Sequence, residues 1–476
     1  MTPEQRDQPK QPHQPGSDED RTSRTADVVV LGLGSGGQPV AEALAGDGLD
    51  VVAVEAFRVG GECPYVACIP SKALLVAAAS GATWDEAVRR RDTAAEHRDD
   101  SDTAASLQKA GVELLRGTGT VTGPGTLDVV RATGDTVHLR WRLALVIGTG
   151  SAPVTPPVEG IEDVPTWTSA DALSATQRPD RLVVLGGGAV GCELGQAFAR
   201  LGSVVEIVEV ASRLLSSEQP WVGDLVAEGL GKDGVHVHVG AKATRAEPVG
   251  AGLRLYLADG TTVEGDRMLV AGGRRPRGDG MGLEHLGVTP DDGALRVDAR
   301  CRVLGTDGPL PDVFAVGDVT AEAPYTHTAT YQAELVVAEL RGRGRDADYR
   351  AIPRVVYTDP AVFCVGVTEE TSPGQVLTSA YGVEGTARAF VEQPDLPGRI
   401  ELLADPDGTL VGAAVVAPSA DSWAGELALG VRAGVSVSLL VDHVHPHPAW
   451  SEAVHPAAQQ LADKLDQLVA DTAKGA

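Results

Sequence analysis

Aromatic side chains are scarce in this chain, at 4% of 476 residues, and lysines number only seven. So few rings argue against a protein that works by stacking on bases. Acidic residues outnumber basic ones, 66 against 40, for a net charge of −26. Such a charge repels phosphate backbones and anionic membrane surfaces, so neither nucleic acid nor membrane is an expected partner. No apolar run approaches the roughly 20 residues that a membrane span needs. Cysteine is rare as well, five in all. An odd count in so large a chain suits a reducing, cytoplasmic setting, where a disulfide would be catalytic rather than structural.

Glycine, in contrast, is plentiful at 57, and the length predicts about three domains. Residues 1–25 are polar and rich in Pro and Gln, with no signal-peptide pattern. They cannot bury enough surface to offset their ordering entropy, which predicts a disordered tail, a partner-binding arm being the alternative. Order is expected from Ala26. The run Ala26–Leu31 reads as a buried parallel strand and leads into Gly32, Gly34 and Gly37. A helix is predicted over Pro39–Ala45, then a strand, Asp50–Val54, closed by Glu55. The pattern returns at mid-chain. Arg181–Leu185 is followed by Gly186, Gly188 and Gly191, a helix over Cys192–Leu201, and a strand over Ser203–Val208 closed by Glu209. In both copies 23 residues separate the first glycine from the acid (32 to 55 and 186 to 209). Glycines permit the tight turn and close approach of a pyrophosphate to a helix N-terminus, while the acid accepts from a ribose diol.

Two dinucleotide sites imply two dinucleotides, and a hydride donor with a flavin is the natural pair. Glu209 would repel a 2′-phosphate, which favours NADH over NADPH; Arg213, close by, blurs that preference. Two further segments suit a flavin domain split in sequence. Leu143–Ile147 reads as a strand ending in Gly148, Thr149 and Gly150, and Val313–Val316 as a strand ending in Gly317 and Asp318, an acid suited to the flavin's ribityl or pyrophosphate. Just after Glu55, Cys63 and Cys68 stand five apart. Zinc ligands usually stand two to four apart. The pair is better placed to close a small redox disulfide at a helix start, where the helix dipole stabilises a thiolate.

These segments resemble the flavoprotein disulfide reductases, the pyridine nucleotide-disulfide oxidoreductases that include dihydrolipoamide dehydrogenase and mercuric reductase. The likeness runs over nearly all of residues 26–470. It includes Ala271–Pro276, Ile352–Pro360, and above all His447-Pro448-Ala449-Trp450-Ser451-Glu452, similar to the family's His-Pro-x-x-x-Glu. The resemblance implies an α/β fold with two Rossmann-like domains, for FAD and NAD, and an α+β C-terminal dimerisation domain. It implies FAD binding by 26–157 and 280–347, NAD(P) binding by 158–279, and a homodimer interface within 348–476. FAD and NADH are the cofactors it implies, NADPH being possible. Cys68 would be the thiolate nearest the flavin and Cys63 the interchange thiol. His447, oriented by Glu452, would reach the partner's cysteines as general acid/base. Lys72 and Glu193 match an ion pair beside the flavin, with a surface salt bridge as the plain alternative.

Pro64-Tyr65 and Ala67 stand where the family commonly has Leu-Asn and Gly. Pro64 is tolerated in a first helical turn; a changed substrate-facing wall is the expected consequence. His443, His445, His447 and His455 cluster, so a metal site is conceivable from the residues alone. His443 and His445 are read as surface or interface residues and no metal is expected. Cys192, Cys301 and Cys364 are read as buried or incidental. No cysteine follows Cys364, so electrons are expected to leave from Cys63 to a small disulfide or a slender lipoyl arm. Reduction of another low-molecular-weight thiol disulfide, a flavin diaphorase acting on quinones or metal ions, and a non-enzymatic nucleotide binder are the alternatives.

Overall fold

The computed structural model describes residues 23–393 and 398–475. Of the expected tail, residues 1–22 lie outside them. Its last three residues are ordered, which corrects the expected boundary: the first strand is Ser23–Leu31. Ser23–Ala26 pairs with His138–Trp141, and Arg24 is bonded to Asp50 and Glu113. Hydropathy marks only the part buried on both faces. The polar extension is held by ladder hydrogen bonds and ion pairs instead.

That strand is central to a seven-stranded sheet. It runs parallel to Val51–Glu55 on one side and to Thr136–Ile147 on the other. Val112–Gly123 and Gly308–Ala315 add the outer parallel neighbours, and Arg302–Gly305 closes one edge antiparallel. Val28, Val29 and Val30 are fully buried because apolar layers cover both faces of the sheet. A second sheet is parallel throughout, with Arg181–Leu185 between Val204–Val208 and Arg267–Val270. The chain passes between the two sheets at Ser151–Pro153 and returns at Arg274–Pro276, and these segments pair antiparallel. The third sheet, five antiparallel strands within residues 354–417, packs against helices Gly425–Ala433 and Val454–Gly475. One apolar core joins all three units: Leu74 and Leu75 of helix Cys68–Ala79, Phe198 of helix Ala189–Arg200, and Val362 and Cys364 of the third sheet. Among the described residues no helix is long and apolar enough to cross a membrane.

The two glycine turns are built alike. Gly32 and Gly186 hold φ of +88° and +119°, a region that side chains rarely adopt. A Cβ on Gly37 or Gly191 would collide with the carbonyl of the first glycine in its own turn. The closing acids grip the turns: Glu55 accepts from the amides of Leu33 (2.6 Å) and Phe57 (2.7 Å). Glu209 accepts from the amides of Gly187 (2.5 Å) and Ala211 (2.6 Å). The helices Gly37–Gly46 and Ala189–Arg200 begin slightly before the expected bounds. Neither has a capping side chain or an acid in its first turn, which leaves amide groups at both N-termini for an anion.

Candidate active site

Cys63 opens a four-residue helical turn, Cys63–Val66, and Pro64 sits in its first positions, where a missing N–H costs nothing. Cys68 is the first residue of the helix Cys68–Ala79. Both are free thiols and both are half-buried. Cys63 donates a hydrogen bond to Cys68 and thereby holds the Cys68 thiol down to about 6 from an ordinary 9.0. Burial opposes this, while Thr326 and the charge of Lys72 add to it. The proton stays on Cys63, whose thiol is pushed up by that same bond and by burial. In the reduced pair, ionisation is therefore favoured at Cys68 over Cys63. The Cys68 thiolate is expected to persist above pH about 6 and to be lost as pH falls through that value. Ultraviolet thiolate absorbance of the reduced protein against Cys68→Ser checks this; a titration near 9 would contradict it. Replacing Lys72 by Met is expected to move the midpoint upward.

Lys72 Nζ lies 2.8 Å from Glu193 Oε2, and the Glu193 side chain is only 7% exposed. The other Glu193 oxygen accepts from the Tyr357 amide at 3.0 Å, and Lys72 lies over the Tyr357 ring. This is no surface salt bridge. It ties the Cys68 helix, the second glycine-motif helix and the turn after the first strand of the third sheet, Arg354–Val356, at one point.

His447 Nδ1 lies 3.0 Å from Glu452 Oε2, and Glu452 Oε1 accepts from the Ala449 amide at 2.6 Å. Burial works against the Glu452 charge, but the amide and the imidazole outweigh it and lower its pKa. An ionised carboxylate only accepts, so Nδ1 carries the proton and Nε2 is left as the basic nitrogen. The His447 side chain is 72% exposed.

Asp318 accepts from Ser151 Oγ at 2.6 Å, and Ser151 Oγ in turn accepts from Arg274 Nε at 2.7 Å, so Asp318 is joined to both connecting segments. Gly317 donates to Gln332, and Thr149 Oγ1 donates to the Arg277 carbonyl at 2.8 Å. Gly148 donates to the Leu31 carbonyl, beside the Gly32 turn, and Gly150 is at φ +71°.

The profile of the family described as pyridine nucleotide-disulphide oxidoreductase matches residues 26–333, and the profile of its dimerisation domain matches residues 352–458. The chain belongs to this family. It is 35% identical to dihydrolipoyl dehydrogenase of Thermus scotoductus over 92% of this chain and 98% of that protein. It is 33% identical to mercuric reductase of Streptomyces lividans over 93% of this chain and 97% of that protein. A solved Cu(II) complex of the HOCl-induced flavoprotein disulfide reductase RclA from Escherichia coli superposes with a TM-score of 0.83 at 26% identity, covering 92% of this chain and all of that one.

Like its family, this oxidoreductase uses FAD and NAD(H). The turns fit both groups. The helix N-termini are uncapped, and a Cβ on Gly188 would meet nothing within 4 Å, which leaves room for a pyrophosphate at the second turn. Glu55 and Glu209 each have lone pairs left for ribose hydroxyls beyond the two amides they accept from.

Two sequence readings change, those of Tyr65 and His445. Tyr65, expected in a substrate-facing wall, is 1% exposed and its hydroxyl meets Thr103, so it packs inward. Of the histidine cluster, His455 is taken by the Val441 carbonyl and His447 by Glu452. His443 and His445 were read as surface or interface residues; the His445 side chain is only 5% exposed within its own chain. Cys192, Cys301 and Cys364 are buried as expected, and burial raises all three thiols. Thr326, 3.5 Å from Cys68, was missed. The one signal for it in the sequence is its place shortly after Asp318, ahead of a helical run.

Proposed function

We propose that the protein reduces a small disulfide, or oxidises the matching dithiol, through a Cys63–Cys68 redox pair completed by the partner's His447. The observation that carries this reading is the pair of free cysteines, Cys63 and Cys68, at a helix start, with Lys72 on the same helix bridged to the buried Glu193. Bound FAD supplies two-electron transfer between NAD(H) and the cysteine pair, held at the Gly32 turn with Glu55, at Gly148–Gly150 and at Gly317–Asp318. NAD(H) is held at the Gly186 turn with Glu209.

The steps on this chain's residues balance. His447 Nε2 removes the proton that Cys63 holds. The Cys63 thiolate attacks one sulfur of the substrate disulfide, forming a mixed disulfide and releasing a thiolate that takes the proton back from His447. Cys68 then attacks the Cys63 sulfur as its thiolate, closing the internal disulfide and releasing the second substrate sulfur as a thiolate that takes its proton from solvent. The substrate gains two electrons from the cysteine pair, one proton from Cys63 through His447 and one from solvent. A homodimer suits the exposed apolar side chains on both faces involved: Ile69 and Val76 on the Cys68 helix, and Leu439 and Val444 on the approach to His447.

Lipoamide, or a lipoyl arm, is the favoured substrate, since relatives that align over almost their full length are named dihydrolipoyl dehydrogenase. NADH is the favoured coenzyme. What supports this is that Arg213 Nη2, the group that blurred the sequence preference, is bonded to the Ser216 carbonyl at 2.9 Å and to Glu370 at 2.6 Å. The test is anaerobic consumption of NADH and NADPH with lipoamide. Fast turnover is expected, with NADH favoured by about tenfold or more, roughly 1.4 kcal/mol. No lipoamide turnover, with reduced cysteines present, would move the substrate to another low-molecular-weight disulfide. Equal use of both coenzymes would remove the role given to Glu209.

A further inference from the structure

The segment after Asp442 holds a cluster that the redox chemistry does not use. Glu426, His443 and His445 each place a ligand atom within 4.8 Å of the others. His445 Nε2 lies 3.3 Å from Glu426 Oε1, and His443 Nε2 lies 3.8 Å from Glu426 Oε2. The two rings stand at 78° with centroids 4.7 Å apart. With its side chain 5% exposed, His445 finds no hydrogen-bond partner for either ring nitrogen among the described residues, and Glu426 Oε1 has none either. Its 3.3 Å approach to the carboxylate is close enough for an ion pair but not aligned as a hydrogen bond. An imidazole always offers a donor or an acceptor at each nitrogen, and buried polar groups are nearly always paired. An unpaired buried imidazole aimed at a carboxylate, with a second imidazole beside it, asks for a shared cation.

The donor set narrows the choice. Two imidazoles and one carboxylate are the ligands of open four-coordinate zinc sites. Nitrogen-rich sets suit zinc, copper and nickel rather than magnesium or calcium. At bond lengths of about 2.0–2.1 Å, tetrahedral ligand atoms stand about 3.3 Å apart, so small side-chain shifts close the observed spacing. Glu426 lies in the first turn of the helix Gly425–Ala433 and His445 is packed in place, while His443 is exposed and has room to move.

We propose that Glu426, His443 and His445 bind one divalent transition-metal ion of zinc's class per subunit. The fourth position is left to water. The ion ties the segment carrying His447, two residues on, to the helix that bears Glu426. This goes against the sequence expectation of no metal, and it does not depend on the disulfide chemistry proposed above.

Zinc is the probe, because it has no redox chemistry for the enzyme to consume. FAD-loaded, disulfide-oxidised protein is titrated with zinc in competition with a chromophoric chelator, so that free thiols do not compete. One zinc per subunit is expected. His443→Ala should weaken it by at least about tenfold while leaving FAD content and NADH:quinone turnover unchanged. Zinc should also raise the thermal midpoint of the wild-type protein and not that of His443→Ala. The site is refuted by failure to retain zinc at micromolar concentration. It is equally refuted by zinc binding that survives undiminished in both His443→Ala and Glu426→Gln, or that disappears in Cys63→Ser but not in His443→Ala.

Discussion

Cys63→Ser is expected to lower disulfide reduction by at least about a thousandfold, while NADH:quinone turnover by the same preparation stays within about twofold. The asymmetry follows from geometry. Cys63 opens the short turn that precedes the Cys68 helix, whereas Cys68 starts that helix near Lys72 and Thr326, where its ionised form is favoured. A serine hydroxyl at position 63 cannot form the mixed disulfide, yet nothing that a quinone needs at the cofactor sites is touched. Cys68→Ser should fail differently. It keeps the attacking thiol and loses the resolving one, so with a linear disulfide a substrate half should remain bound to Cys63 and appear as added mass on the chain. Two results count against this reading. Equal loss of both activities would point to a damaged fold or cofactor site, and undiminished disulfide reduction would make the cysteines bystanders.

The site was legible in the sequence where chemistry demands fixed local spacing. A turn that brings backbone to a pyrophosphate needs Gly32, Gly34 and Gly37 in that order, and the acid must follow one helix and one strand later. Both copies obey, and the structure shows why the first and third glycines are required: one holds a positive φ, and the third lies against the carbonyl of the first. Cys63 with Cys68, and His447 with Glu452, are also local pairs, five residues apart each. What escaped was contact between distant segments. Thr326 reaches Cys68 across 258 residues, and Asp318 meets Ser151 across 167. No period or spacing records such approaches. The burial of His445, which lies in a loop, was missed for the same reason, since Glu426 on the helix Gly425–Ala433 is what faces it. The first strand began early because Ser23–Thr25 are held by pairing rather than by apolar burial.

The Lys72–Glu193 bridge shows how distance and function combine. A carboxylate buried as Glu193 is costly to desolvate unless it is fully bonded. Here Glu193 satisfies one oxygen with Lys72 and the other with the Tyr357 amide. The bridge therefore fixes how the Cys68 helix sits against the second sheet, and the Lys72 charge in turn favours the Cys68 thiolate.

His447→Gln is expected to lower disulfide reduction by about a hundred- to ten-thousandfold, the usual worth of a positioned general acid/base. Here too NADH:quinone turnover should be spared. The decisive form of the experiment asks which chain supplies the imidazole. When Cys63→Ser and His447→Gln chains are unfolded and refolded together, half of the dimers are mixed. In a mixed dimer the Cys63→Ser chain lends an intact His447 to the intact cysteines of its partner, and the other site carries both defects. One site in two is then whole, so about a quarter of wild-type activity should return although each parent alone is nearly inactive. If His447 served the cysteines of its own chain, no pairing could rebuild a site and no activity would return. The exposed ring, held at Nδ1 by Glu452, and the apolar side chains left uncovered beside it and on the Cys68 helix argue for recovery.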